Sequence, residues 1–187
     1  MPRQPRCPLE PGFYHLTARA NRSDTLFLGD RDRAVFCGQV ARAAKPETFV
    51  VRAYCLMSTH YHLLVETHTA EISAAMRDLN GIYARWFNKE HGLRGHVFEE
   101  RFHSAQVADD WHLLEVLRYL ALNPVRAALT ATPTEWRWGS FAAVMGCARP
   151  PTFLDVRWTL RLFSRDDATA RRQFLNFVEY MPPQITS

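Results

Sequence analysis

Long apolar runs are missing from this 187-residue chain. Even the stretch 49–57 is broken by Arg52, far short of the about 18 residues that a membrane span requires. The first six residues lead into no apolar segment, so no secretory signal is expected and the chain is placed in the cytoplasm. Cysteine is scarce, and Cys7, Cys37, Cys55 and Cys147 form no pair at the two-residue interval of zinc or redox sites. Reduced, mostly buried thiols are expected instead. Glycine (8) and proline (11) are too few for a low-complexity or collagen-like chain. What remains, 47% hydrophobic and 22% charged residues, describes one ordinary globular domain with a small appendage. A chain of this length buries a core without disulfides or a structural metal.

Lysine is nearly absent as well: 21 of the 23 basic residues are arginine, and the formal net charge is +4. The basic surplus sits toward the two ends of the chain, while residues 59–75 carry only Glu66 and Glu71. Arginine suits bidentate phosphate recognition and stacking on bases. A GC-rich genome produces the same abundance, so charge permits nucleic-acid binding without establishing it.

Residues 1–12 hold four prolines and read as an arm. Residues 13–20 alternate as a strand. Residues 30–45 place Val35, Phe36, Val40 and Ala44 at helical spacing, closed by Pro46. Residues 48–57 and 60–67 read as an antiparallel strand pair around Ser58-Thr59. A long amphipathic helix covers 72–90 and stops near Gly92, and a weaker strand covers 102–107. Asp109-Asp110 caps a helix running through Leu122, which Pro124 is expected to end or kink. The order β-α-β-β-α-β-α predicts an α+β fold, a ferredoxin-like sandwich of an antiparallel sheet with helices on one face. Residues 1–147 form the main unit with its arm, and 148–187 a linker and a helical C-terminal tail with a helix over 166–180.

Two imidazoles stand on the second central strand, in His60-Tyr61-His62. Residues i and i+2 of a strand share a face, about 6.6 Å apart, and such a pair can converge on one cation with bonds of about 2.1 Å. Two histidines on a half-buried strand making ordinary hydrogen bonds would look the same. On the helix before Pro124, Tyr119 and Asn123 are four apart and share a face. An amide oxygen is a hard third ligand, and the phenol one turn away would lie beside whatever the cation binds. A core tyrosine and a helix-end asparagine are the alternative.

His60-Tyr61-His62-Leu63-Leu64-Val65-Glu66, then Gly95-His96-Val97-Phe98 leading to Arg101-Phe102, then the run from Tyr119 through Asn123-Pro124-Val125-Arg126-Ala127, resemble the single-tyrosine HUH transposases. Among them the resemblance is to the REP-associated tyrosine transposases, over residues 12–145. It implies that His60 and His62 bind a metal, Mg²⁺ or Mn²⁺, that Asn123 completes the site and that Tyr119 is the nucleophile. It implies cleavage and transfer of single-stranded hairpin DNA through a 5′-phosphotyrosine intermediate. It also implies a ferredoxin-like fold. Two positions depart from the pattern: Thr59 stands where the family has asparagine, and Trp138-Gly139-Ser140 where it has Trp-Ser-Ser. The first puts in question a hydrogen bond expected behind the ligands.

Arg101 and Arg126 flank these segments and are the leading phosphate contacts, with Arg85, Arg94 and Arg118 behind them. Arg3 and Arg6 in the arm would embrace a hairpin stem. Tyr83 is a rival nucleophile that lacks a ligand one turn away, and Glu66 lies about 13 Å further along the strand from His62. A domesticated protein that holds structured DNA or RNA without cutting is the alternative function, and a hydrolase unrelated to nucleic acid a third. The tail after Pro150 favours a monomer over a dimer that swaps the tyrosine helix.

Overall fold

Four strands alternate inward and outward residues closely enough to bury two faces. The computed structural model describes residues 10–21 and 25–180. Its elements are β1 (Gly12–Arg19), α1 (Asp30–Ala43), β2 (Phe49–Leu56), β3 (His60–Thr67), α2 (Ile72–His91), β4 (His103–Gln106), α3 (Asp110–Arg126), α4 (Ser140–Val144), α5 (Val156–Arg161) and α6 (Asp167–Glu179). The sheet is antiparallel in the order β2-β3-β1-β4. Hence β3, with its histidines, lies between β2 and β1.

One face of the sheet offers Leu16 and Ala18 of β1 and Tyr61, Leu63 and Val65 of β3. Onto it pack Phe36 and Val40 of α1 and Ile72, Met76, Leu79, Tyr83 and Phe87 of α2, each set at helical spacing. Asp32 closes the start of α1 by accepting the N–H groups of Leu28 (2.6 Å) and Gly29 (3.1 Å). Gly92, in the left-handed region at φ 65°, ends α2 where an L side chain would be strained. The α+β class and the antiparallel sheet are as the sequence predicts.

The placement of the helices is not. Only α1 and α2 gather on one face; α3 lies across the other, with Leu113, Val116, Leu117 and Leu120 packed on Ala53, Cys55 and Leu64. Both faces of β2 and β3 carry apolar residues, which is why a single helical layer cannot cover them. Ala170, Phe174 and Val178 of α6 join this second core, so the tail helix docks on α3.

Of the two outcomes expected of Pro124, the ending does not occur: α3 continues through it to Arg126. The ring sits in the last turn, where its missing N–H forfeits one helical bond. The turn is closed by Ala127 N–H to the Asn123 carbonyl (3.0 Å) and Leu129 N–H to that of Pro124 (2.9 Å). The short helices α4 and α5 carry no periodicity long enough to read from sequence. Trp138-Gly139-Ser140 lies along β2, with Leu56 N–H on the Trp138 carbonyl (2.9 Å) and Ser140 Oγ accepting from Tyr54 N–H (3.1 Å). Of the thiols, Cys55 is buried and Cys37 half-buried, but Cys147 is exposed, because it follows the end of α4 at the surface. No helix among the described residues is long and apolar enough to cross a membrane.

Docking of α6 sets the first test. Phe174→Ala should cost about 3–5 kcal/mol, the usual loss for an aromatic in a shared core, measured by denaturant unfolding of the full chain. A loss under about 1 kcal/mol would show α6 to be a loosely attached appendage.

Candidate functional site

The polar edge of the second face builds the site. In the β1·β3 register Arg19 pairs with His60, Thr17 with His62 and His15 with Leu64, so all these side chains share one side of the sheet. Across it runs α3, whose apolar stripe is seated on Leu64 and Cys55. That seating leaves Tyr119 and Asn123, one turn apart, above the imidazoles.

The rings meet. Tyr119 lies 5.4 Å from His62 and 5.9 Å from His15 between ring centroids, edge to face, and His60 lies 4.8 Å from His62. Asn123 places its amide nitrogen 3.2 Å from His62 Nε2. Arg126, one turn beyond Asn123, holds its guanidinium carbon 5.8 Å from the Tyr119 ring centroid. Tyr119 is 39% exposed, whereas His62 and Asn123 are buried. The phenol therefore sits at the mouth of the cleft, His62 and Asn123 at its floor and the half-buried His60 between.

Hydrogen bonds behind the imidazoles aim them. His62 Nδ1 is 2.9 Å from His15 Nε2, and His60 Nδ1 is 2.9 Å from Thr59 Oγ1. With each Nδ1–H donating backward, both Nε2 atoms keep their lone pairs for the cleft. Thr59 thus supplies a hydrogen bond at the position where its departure from asparagine put one in question.

Burial lowers the pKa of His62 to about 2, with His15, His60 and Arg19 adding repulsion. Burial, then Arg19, lowers His60 to about 4. Burial, then His103 and His112, lowers His15 to about 4. All three rings are neutral at pH 7, the state in which an imidazole ligates a cation.

Among the described residues no group of three or more His, Cys, Asp or Glu side chains forms a metal site. The donor set that fits a cation is two imidazoles and an amide. Turning the Asn123 amide over brings Oδ1 to the place of Nδ2, facing a second acceptor at His62 Nε2. A cation between them reconciles two such acceptors, as does the tautomer in which His62 carries its proton on Nε2. The residues fit a hard or borderline divalent ion.

Other sequence candidates fall elsewhere. Tyr83 is buried and donates its hydroxyl to the Leu26 carbonyl (2.7 Å), with its pKa pushed up chiefly by burial, so it is no exposed nucleophile. Tyr61 is buried on the opposite face, against Asn80 Oδ1 (3.0 Å). Glu66 is held by Arg52 (Nε 2.9 Å) at the far end of β3. Arg118 turns from the cleft to Glu115 (3.6 Å) and lies over Phe177 of α6. Arg85, Arg94 and Arg101 are exposed. Arg94 borders a groove of about 350 Å³ with Leu28, Phe87, Asn88 and His96. Arg3 and Arg6 lie outside the described residues.

His15 and Arg19 were not singled out from the sequence. Both stand on β1 at alternate positions, so strand periodicity alone puts them on one face. Only the pairing of β1 with β3 brings that face to the histidines.

Residues 12–123, from the start of β1 through Asn123, match the family model described as "Transposase IS200 like". No curated protein matches the chain. A solved REP-associated tyrosine transposase bound to a REP hairpin shares the fold, with a TM-score of 0.62 at 18% identity over 84% of this chain and 91% of that one. A candidate transposase from Deinococcus radiodurans R1 aligns at TM-score 0.42 and 16% identity over 63% and 94% of the two chains. With more than half its length matched by the family model, this chain belongs to the IS200-like transposases and is a DNA-processing protein.

Proposed function

We propose that this transposase nicks and rejoins single-stranded hairpin DNA through a covalent 5′-phosphotyrosine at Tyr119. The observation that carries the reading is the meeting of an exposed phenol with His62 and His15 across one cleft. The hairpin substrate is favoured by the fold-level neighbour, which is bound to a REP hairpin.

Tyr119 Oη forms a bond to the scissile phosphorus as the bond from phosphorus to the 3′-oxygen breaks. The phenol gives up its proton and the departing oxygen gains one. The products are a free 3′-hydroxyl and a 5′-phosphate esterified to Tyr119. The ester conserves the energy of the broken linkage, so attack by a 3′-hydroxyl reverses the step without ATP. A free phenol, with a pKa near about 10, is a weak nucleophile at neutral pH, so alignment and neutralisation of the phosphate charge matter most.

Arg126 and Arg19 flank the phenol and His60 and would contact the non-bridging phosphate oxygens. His60, His62 and Asn123 would hold Mg²⁺ or Mn²⁺, which when bound polarises the phosphate. His15 and Thr59 fix the ring orientations of the two ligands. Because Tyr119 meets the imidazoles of its own chain, one copy completes the site and we take the working form as a monomer. We take residues 1–147 as the catalytic unit, with 148–187 a tail that braces α3.

Three experiments test this. A labelled hairpin oligonucleotide with Mg²⁺ or Mn²⁺ should give a covalent adduct on denaturing gels, lost in Tyr119→Phe and on chelation. An adduct that survives Tyr119→Phe would remove Tyr119 as nucleophile, and binding without any wild-type adduct would favour the non-cleaving alternative. Arg126→Ala should lower the slope of log affinity against log salt by about one, measured by fluorescence anisotropy. His15→Leu should weaken Mn²⁺ binding by about 10–100-fold in EPR titrations. His15→Gln, which keeps an acceptor for His62 Nδ1–H, should restore much of it; equal loss in both would mean that His15 contributes packing alone.

A further inference from the structure

Arg33 of α1 is a buried cation that forms no ion pair among the described residues. The residue is only 7% exposed, and its guanidinium carbon lies 5.6 Å from the Phe27 ring centroid and 5.3 Å from that of Trp136. Its Nε is sealed from solvent with no partner.

The nearby carboxylates are engaged elsewhere. Asp32 accepts from His91 Nε2 (2.9 Å) and from the backbone of Leu28 and Gly29. Asp30 accepts from Trp138 Nε1 (2.7 Å) and Arg137 (3.4 Å). Neither forms an ion pair with Arg33. The aromatic rings offer faces to the cation but no acceptors for the donors in its plane. Asp30 and Asp32 offset part of the charge at longer range, and a water molecule taking up a donor would add nothing to that. An anion answers both.

The position suits one source of anion. Phe27, whose ring lies against the guanidinium, donates its N–H to the Ser58 carbonyl (3.1 Å), two residues before His60. The guanidinium thus stands at the end of the sheet where the β2–β3 turn leads into the candidate ligands.

We propose that Arg33 receives a backbone phosphate of the bound DNA beside the catalytic cleft. The proposal rests on the DNA-processing reading above. It implies that the free protein carries an electrostatic penalty that the substrate relieves, so binding and stability should respond to one substitution with opposite signs.

The test uses the full chain carrying Tyr119→Phe, with and without Arg33→Met or Arg33→Lys. Without DNA, Arg33→Met should melt at or above the temperature of its parent. With a single-stranded hairpin oligonucleotide, it should bind about tenfold more weakly at low salt, with a slope of log affinity against log salt smaller by about one. Arg33→Lys should keep that slope. A melting temperature several degrees below the parent would make Arg33 a structural stacking residue and overturn the proposal, as would an unchanged slope. An Arg33-dependent rise in melting temperature with inorganic phosphate, alongside an unchanged hairpin slope, would assign the site to a free anion and overturn it also. Failure of the parent protein to bind the hairpin would instead defeat the DNA reading itself.

Discussion

Everything at the site hangs on how α3 is seated on the sheet. Leu113, Val116, Leu117 and Leu120 press against Ala53, Cys55 and Leu64, and an apolar stripe of that width leaves the helix little rotational freedom. Turning α3 by one residue, about 100°, would carry Tyr119 and Asn123 away from His62. The hydrophobic contact therefore acts as the gauge that sets a phenol against an imidazole at 5.4 Å. Since α6 packs on the outer side of α3, the tail contributes to the same alignment without touching the cleft.

The arginine-rich composition resolves into two populations. Arg52, Arg118, Arg137 and Arg161 are tied to carboxylates of the chain itself, and they read as framework. Arg19, Arg33 and Arg126 form no such pairs among the described residues and surround the end of the sheet that carries the histidines. The formal charge of +4 says little by itself. What matters is which guanidinium groups the fold leaves unsatisfied, and where.

Much of the fold was legible because its signals are local. The alternation in β3 gave that strand from His60 to Thr67, and the 3.6-residue period in α2 placed a helix with an error of one residue at its end. Tyr119 and Asn123 were visible as a pair for the same reason. His15 and Arg19 were not, since their importance arises from cross-strand register, a relation between segments more than 40 residues apart. Pro124 does not end the helix because a proline two residues before the last helical residue costs far less than one in its interior. The second helical layer stayed hidden because periodicity finds α3 and α6 without saying on which face of the sheet they pack, and α4 and α5, at five and six residues, are too short for a periodicity to declare itself.

That Pro124 is carried inside α3 rather than ending it has a consequence for reach. Had the helix stopped at residue 122, Asn123 and Arg126 would belong to a loop, and their directions would be set by chain flexibility. Instead both ride on the same rigid rod as the phenol, so nucleophile, amide and guanidinium keep fixed spacing as a single cassette. Any tilt of that rod against the sheet would move all three together, which makes the whole constellation adjustable through one mechanical coordinate.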